Sequence, residues 1–220
     1  MKKKSKSKVY KQNLVLVVIG IIVIFISAYN IVNLALIEEN KKVKLDTLKS
    51  ESYVIGKEPT ALQKDIFKKL IQAEKEEDKN FDNIAKLVGE AFVIDFFTWT
   101  NKDSSFDVGG LQYFYDANSF SKTAHWEYYQ KLDVFNSTYK KDNLPQVASV
   151  NARVQNRDSY LLNEKIYDSY TVDVSWTYES EVSLNKNELI DNCEVVLIKD
   201  KNKLKIVEVN MIEEVEENEI

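Results

Sequence analysis

Asp95 is the residue of this sequence best placed to do chemistry. It falls on the apolar stripe of the most strongly patterned helix, residues 81–99, one turn before Trp99. A carboxylate held among apolar side chains has a raised pKa and can serve as a general base. Trp99, Tyr113, Trp176 and Tyr178 could wall a ligand pocket around it, with Tyr115 and Trp126 as further lining. The plainer reading is that these aromatics fill a core. Asp95 then sits at the core's edge or accepts hydrogen bonds from Trp or Tyr donors.

The other reactive side chains are isolated. His125 is the one histidine and precedes Trp126 on a helical piece expected to be exposed. The one cysteine, Cys193, lies in the apolar run CEVVLI, where a free thiol behaves as a small hydrophobe. It cannot form an intramolecular disulfide. No G-x-S-x-G motif occurs, and His and Cys are far apart, so a nucleophilic triad has no support. Zinc would need three or four clustered ligands. Glu179, Glu181, Glu188 and Asp191 could bind calcium, but they lack the regular oxygen spacing and the glycine turn, and read as a solvated strand edge. Residues 101–110 (NKDSSFDVGG) form a loop without the lysine-serine ending of a phosphate loop. No catalytic residue, metal or cofactor is therefore assigned. Asn136-Ser137-Thr138 is a glycosylation sequon, with meaning only where secreted proteins are glycosylated.

The elements that must position Asp95 follow from periodicity. Leu62, Ile66, Leu70 and Ala73 repeat at helical spacing, with Thr60 as cap. This amphipathic helix packs on the domain or joins chains beside the membrane. In residues 81–99, Phe81, Ile84, Val88, Ala91, Phe92, Asp95, Phe96 and Trp99 share a face, and Val93, Ile94 and Phe97 make the second half apolar all round. Residues 111–136 read as helical pieces, broken at Asn143-Leu144-Pro145. From Gln146 the period becomes two. Ala148, Val150, Ala152 and Val154 share one face, and Tyr170, Val172, Val174, Trp176 and Tyr178 alternate with polar residues. Strands are predicted over 188–199 and 203–211, joined by a tight turn at Asp200-Lys201-Asn202. Helices followed by antiparallel strands predict an α+β domain with helices on one face of a curved sheet of about four strands.

Residues 14–37, LVLVVIGIIVIFISAYNIVNLALI, carry no charge and are long enough to span a bilayer. Leu14, Ile19, Ile22, Phe25 and Ile37 mark this anchor. Six lysines and no acid precede it, which places the N-terminus in the cytoplasm and the rest outside. A cleaved signal peptide is the alternative, but cleavage after Ala28 would put Ile26 where a small residue is preferred, and apolar character continues to Ile37. All 35 acids follow Ile37, so the outer part is acidic and polyphosphate would be repelled. The basic tail suits anionic lipid. The expected organisation is a basic cytoplasmic tail (1–13), a transmembrane helix (14–37), a charged spacer with its amphipathic helix (38–80), an extracytoplasmic α+β domain (81–213) and an acidic tail (214–220).

The anchor, the aromatic helix ending Phe96-Phe97-Thr98-Trp99, and the strand YTVDVSWTY (170–178) together resemble a known layout. The chain is similar to the bitopic inner-membrane assembly factors of bacterial type IV secretion and conjugation systems. The resemblance covers most of the chain and lies in layout, with no diagnostic motif. It implies an outer domain with the cone fold of nuclear transport factor 2, and a scaffold that contacts other envelope proteins, with homo-oligomerisation as a further expectation. The competing expectations are a membrane-tethered ligand-binding module or cone-fold enzyme using the aromatic pocket and Asp95, and a tethered sensor, for which a tail of 13 residues holds no output domain.

Overall fold

A computed structural model describes residues 50, 52–179, 184 and 189–212. Two compact units divide the chain, Met1–Thr47 and Leu48–Ile220, and all described residues belong to the second. The predicted tail, the transmembrane segment, residues 38–49 and 51 of the charged spacer, Glu181, Glu188 and the acidic C-terminus lie outside the described residues. Among the described residues no helix is long and apolar enough to cross a membrane.

Among the described residues the second unit is α+β, with four α-helices and a four-stranded antiparallel sheet. Helix α1 (Ala61–Lys75) begins at a capping box: the Thr60 hydroxyl accepts from the Gln63 N–H at 3.2 Å, and Gln63 Oε1 accepts from the Thr60 N–H at 2.8 Å. Its apolar face buries Ile66, Phe67, Leu70 and Ile71. Tyr53 and Ile55 are buried in the same core, so the fold begins well upstream of Phe81.

Helix α2 (Phe81–Phe97) starts at Asn80, whose side chain accepts from the Asn83 N–H at 3.1 Å. It stops where Thr98 turns to extended backbone and Trp99 N–H donates to the Pro145 carbonyl at 2.7 Å. Phe92, Val93, Ile94 and Phe96 are fully buried, which accounts for the all-round apolar second half. A 3-10 turn (Leu111–Tyr113), α3 (Ala117–Ala124), a π turn (His125–Tyr129) and α4 (Leu132–Tyr139) follow. Around Phe96 the rings of Phe92, Phe97, Phe120, Tyr128 and Tyr129 pack at centroid distances of 4.9 to 5.5 Å, mostly tilted or edge-on.

The sheet is a simple meander, β1 (Val147–Leu162), β2 (Lys165–Tyr178), β3 (Asn192–Asp200) and β4 (Lys203–Met211), in that order. Val172, Val174, Trp176, Cys193, Val195, Leu197 and Ile206 form its buried face. Gly89 lets α2 approach that face closely, since a Cβ there would stand 3.1 Å from Val174. At α2's first turn, Asp82 is paired with Arg157 of β1.

Two expectations differ from the structure. The third strand starts at Asn192, not at residue 188, and residues 185–188 lie outside the described residues. The first two strands run far past their apolar repeats and meet at a two-residue turn, Asn163-Glu164, both residues at positive φ, as a primed hairpin turn requires. Their outer halves were invisible to periodicity because they bury few side chains there.

Burial pushes the Cys193 thiol up to about 12 and lifts the Tyr53, Tyr113, Tyr129 and Tyr178 hydroxyls above the ordinary tyrosine range. These groups hold their protons in the folded state at pH values where the unfolded chain releases them. Their contribution is complete below the unfolded values and is lost as pH rises, from ~8.5 for the thiol and ~10 for the tyrosines. These groups are therefore expected to make the domain unfold cooperatively in alkali. Tyrosinate absorbance and circular dichroism should change together; smooth titration of every tyrosine at its ordinary value, with dichroism intact, would contradict this.

Candidate functional site

Asp95 lies in the last turn of α2, facing the loop that crosses the end of the helix. Its carboxylate takes three donors. Oδ2 accepts from the Gly110 N–H at 2.8 Å, and Oδ1 from Lys102 Nζ at 3.1 Å and Gln63 Nε2 at 3.3 Å. The Lys102 side chain is only 6% exposed and that of Asp95 16%, so the pair is largely removed from water. The network continues through Gln63 Oε1, which also accepts from Asn101 Nδ2 at 3.0 Å. One carboxylate thus ties α1, α2 and the 101–110 loop together.

The loop lies directly on the helix. A Cβ on Gly109 would stand 2.0 Å from the Asp95 carbonyl oxygen, and one on Gly110 2.7 Å from the Phe92 ring. Gly110 also has φ of 75°, in the region that glycine occupies freely. The Gly109 N–H donates to the Tyr129 hydroxyl at 3.2 Å, and that hydroxyl donates to the Phe96 carbonyl. Replacing Tyr129 by Phe removes the partner of two buried backbone groups and is expected to cost about 2 kcal/mol. Urea unfolding checks this, and an unchanged midpoint would mean that water takes over both bonds.

Two recesses meet at Asp95. The larger is an open cleft of about 250 Å³ lined by Lys57, Asn101, Lys102, Asp107, Gly109 and Gly110, among others. The smaller, about 20 Å³, lies between α1 and α2 and is lined by Gln63, Phe67, Ala91 and Tyr113 as well as Asp95.

Of the predicted pocket residues, the structure brings Asp95 and Tyr113 together and places the others elsewhere. Tyr113 is buried against Tyr53, with ring centroids 5.2 Å apart. Trp99 packs against Tyr129 and Phe135. Trp176 stacks on Phe97 at 4.5 Å, and Tyr178 donates to the Ile190 carbonyl at 2.7 Å. Those three serve the core rather than the cleft. The polar residues around Asp95, Asn101 and Lys102 in the cleft and Gln63 in the smaller recess, were missed by sequence reading. The available signal was Lys102 itself, the one cation in a loop that begins just after a helix carrying a buried acid.

Carboxylate oxygens offer about four acceptor positions, and three on Asp95 are taken. This is the geometry of a structural tie more than of a waiting base. Among the described residues no group of three or more His, Cys, Asp or Glu is arranged to hold a metal ion.

A second feature is a raised aromatic knob. Phe106, 79% exposed, stacks on the His125 ring at 4.4 Å, and Trp126, 68% exposed, meets that ring edge-on at 5.3 Å. The knob is held from beneath. His125 Nδ1 lies 2.8 Å from the Ser105 carbonyl oxygen, and the Asp133 carboxylate accepts from the Ser105 N–H at 3.0 Å and its hydroxyl at 2.6 Å. That Ser105 pair also holds the Asp133 carboxyl below the usual carboxylate range. His125, expected on the surface, is half-buried and serves as the middle layer of this stack.

Compared with known proteins, the chain matches no family model, no curated protein and no solved structure.

Proposed function

We propose that this chain is a membrane-anchored interaction component of a bacterial envelope assembly, of the conjugation or type IV secretion kind. In this reading residues 14–37 form the anchor, the N-terminus is cytoplasmic, and the α+β unit is an extracytoplasmic docking domain with the cone fold of nuclear transport factor 2. The partners are other envelope proteins and further copies of the chain.

The observation that carries the reading is the aromatic knob. Aromatic side chains, Phe among them, are enriched at protein interfaces and Trp is among the residues that dominate their binding energy, and Phe106 and Trp126 are fixed by the Ser105–Asp133 and His125 contacts beneath them. A photo-cross-linking amino acid at position 106 or 126, in the native host, is expected to capture subunits of one envelope machine. The same probe on the polar outer face of β2, at Thr177, should not. Equal capture from all three positions, or none from the knob, would defeat the reading.

The cleft favours a second reading, a membrane-tethered ligand-binding module or cone-fold enzyme built around Asp95. Its support is an open cleft with a shielded Lys102–Asp95 pair in its wall. A small-molecule screen read by thermal shift separates the two, because a ligand of the cleft should lose its effect in Lys102→Met and keep it in Trp126→Ala.

A further inference from the structure

The sheet has two outer edges, β1 and β4. That of β4 is partly covered: the Ile206 carbonyl accepts from the Tyr115 N–H at 2.9 Å, and the Leu204 carbonyl from the Tyr53 hydroxyl at 2.6 Å. Among the described residues no strand pairs with the outer side of β1, along all sixteen of its residues. Such an edge presents a row of free backbone groups. It fits the same edge of a second copy, because two identical strands related by a twofold axis run antiparallel.

The register shows which groups face outward. The Trp176 N–H donates to the Asp191 carbonyl, so Trp176 and every second residue of β2 turn their backbone groups to the β3 side. Their partners on β1 turn theirs away from β2. These are Val150, Ala152 and Val154 before the irregularity at Gln155, and Arg157, Ser159 and Leu161 after it. The N–H groups of Ala152, Arg157 and Ser159 are already taken. Ala152 donates to the Glu90 carboxylate of α2. Arg157 donates to Asn156 Oδ1 at 2.9 Å, and Ser159 to Asp158 Oδ1 at 2.7 Å. Each of these oxygens stands where an added strand would have to place its carbonyl, and two acceptors facing each other repel. Asn156 and Asp158 are exposed, so core packing asks nothing of them. Gln155 adds a second obstacle. Its amide donates to the Asp173 carboxylate, and as the extra residue it shifts the outward set from even to odd numbers, so a straight partner cannot follow both halves.

We propose that β1 is a guarded edge, on which Asn156 and Asp158, with Glu90, prevent pairing with β1 of a second copy. Copies that assemble do so through other surfaces, and each sheet stays four-stranded.

The test uses the full chain in detergent micelles, with protein mass from light scattering and hydrogen exchange resolved along β1. N156V/D158V removes both acceptors and puts strand-forming residues in their place. It is expected to associate into particles of about twice the protein mass of the unmodified chain's, with slower exchange at Arg157, Ser159 and Leu161. N156A/D158A, which adds no apolar bulk, should move in the same direction. N156D/D158N keeps an oxygen at both positions and the same net charge, and should match the unmodified chain. So should S175V/T177V, which places two valines at exposed positions on an interior strand. An unchanged mass for both the valine and the alanine pair at 156 and 158 overturns the proposal. Association without slower exchange along β1 does so as well, and so does equal association of N156D/D158N or S175V/T177V. An unmodified chain in which Val150 and Leu161 exchange as slowly as the middle of the sheet has a paired edge, which also overturns it.

Discussion

Gly109→Ala is expected to be the most damaging single methyl group that can be added to the described domain. The new Cβ would stand 2.0 Å from the Asp95 carbonyl oxygen and 2.6 Å from its carbon, both backbone atoms of a buried helix. Neither side can move without cost. The loop is fixed by the Gly110–Asp95 and Gly109–Tyr129 hydrogen bonds, and the helix by the core around Phe92 and Phe96. A loss of about 4 kcal/mol or more, at the exceptional end for point substitutions, is expected. Gly56→Ala is the matched control, because its Cβ would make only an ordinary contact of 3.6 Å with the Asp95 carboxylate. Urea unfolding of the two variants should show a collapse for the first and little change for the second. Similar midpoints would mean that the loop does not lie on the helix as described.

Asp95→Ala is the second large effect. It strands the Lys102 ammonium, 6% exposed, and removes the acceptor for the Gly110 N–H and Gln63. Breaking one side of a shielded ion pair leaves an uncompensated charge, and a loss of about 3 kcal/mol is expected. The partner variant makes the argument specific. Lys102→Met in the Asp95→Ala background should recover a good part of that loss, because the stranded charge disappears and only the neutral hydrogen bonds stay broken. A stable Asp95→Ala single variant would remove the structural role and shift the weight to the cleft as a ligand site.

The reach of sequence reading here follows from what each pattern buries. α1 and α2 could be read because their apolar faces pack on each other and that of α2 also on the sheet, and Thr60 supplied a local start signal that the capping box realises. The meander was readable wherever one face of a strand enters the core, as over Tyr170–Tyr178. It was not readable over the outer half of the first hairpin, where Leu161 and Ile166 are exposed and alternation carries no burial signal. The candidate site divides in the same manner. Asp95 stood out because a carboxylate on an apolar stripe demands partners. Those partners come from α1 and from a loop, 32 residues before it and 7 to 15 after. Nothing local in the sequence joins Gln63, Lys102 and Gly110 to it. Trp99 and Trp176 were grouped with Asp95 by chemistry alone, and the packing around Phe97, Tyr129 and Phe135 separates them from it.

The chain enters the domain beside Leu204 and leaves β4 at Met211, at the opposite end of the same strand. A pull between the two ends therefore runs along β4, parallel to its axis, over a nine-residue strand about 30 Å long. The hydrogen bonds joining β4 to β3 lie across that direction. They share the load and must fail together, instead of opening one after another like a zipper pulled from its end. Tension between Ser50 and Met211 thus meets the mechanically stiff direction of the sheet, and the unit can bear a pull between these two points as a tie.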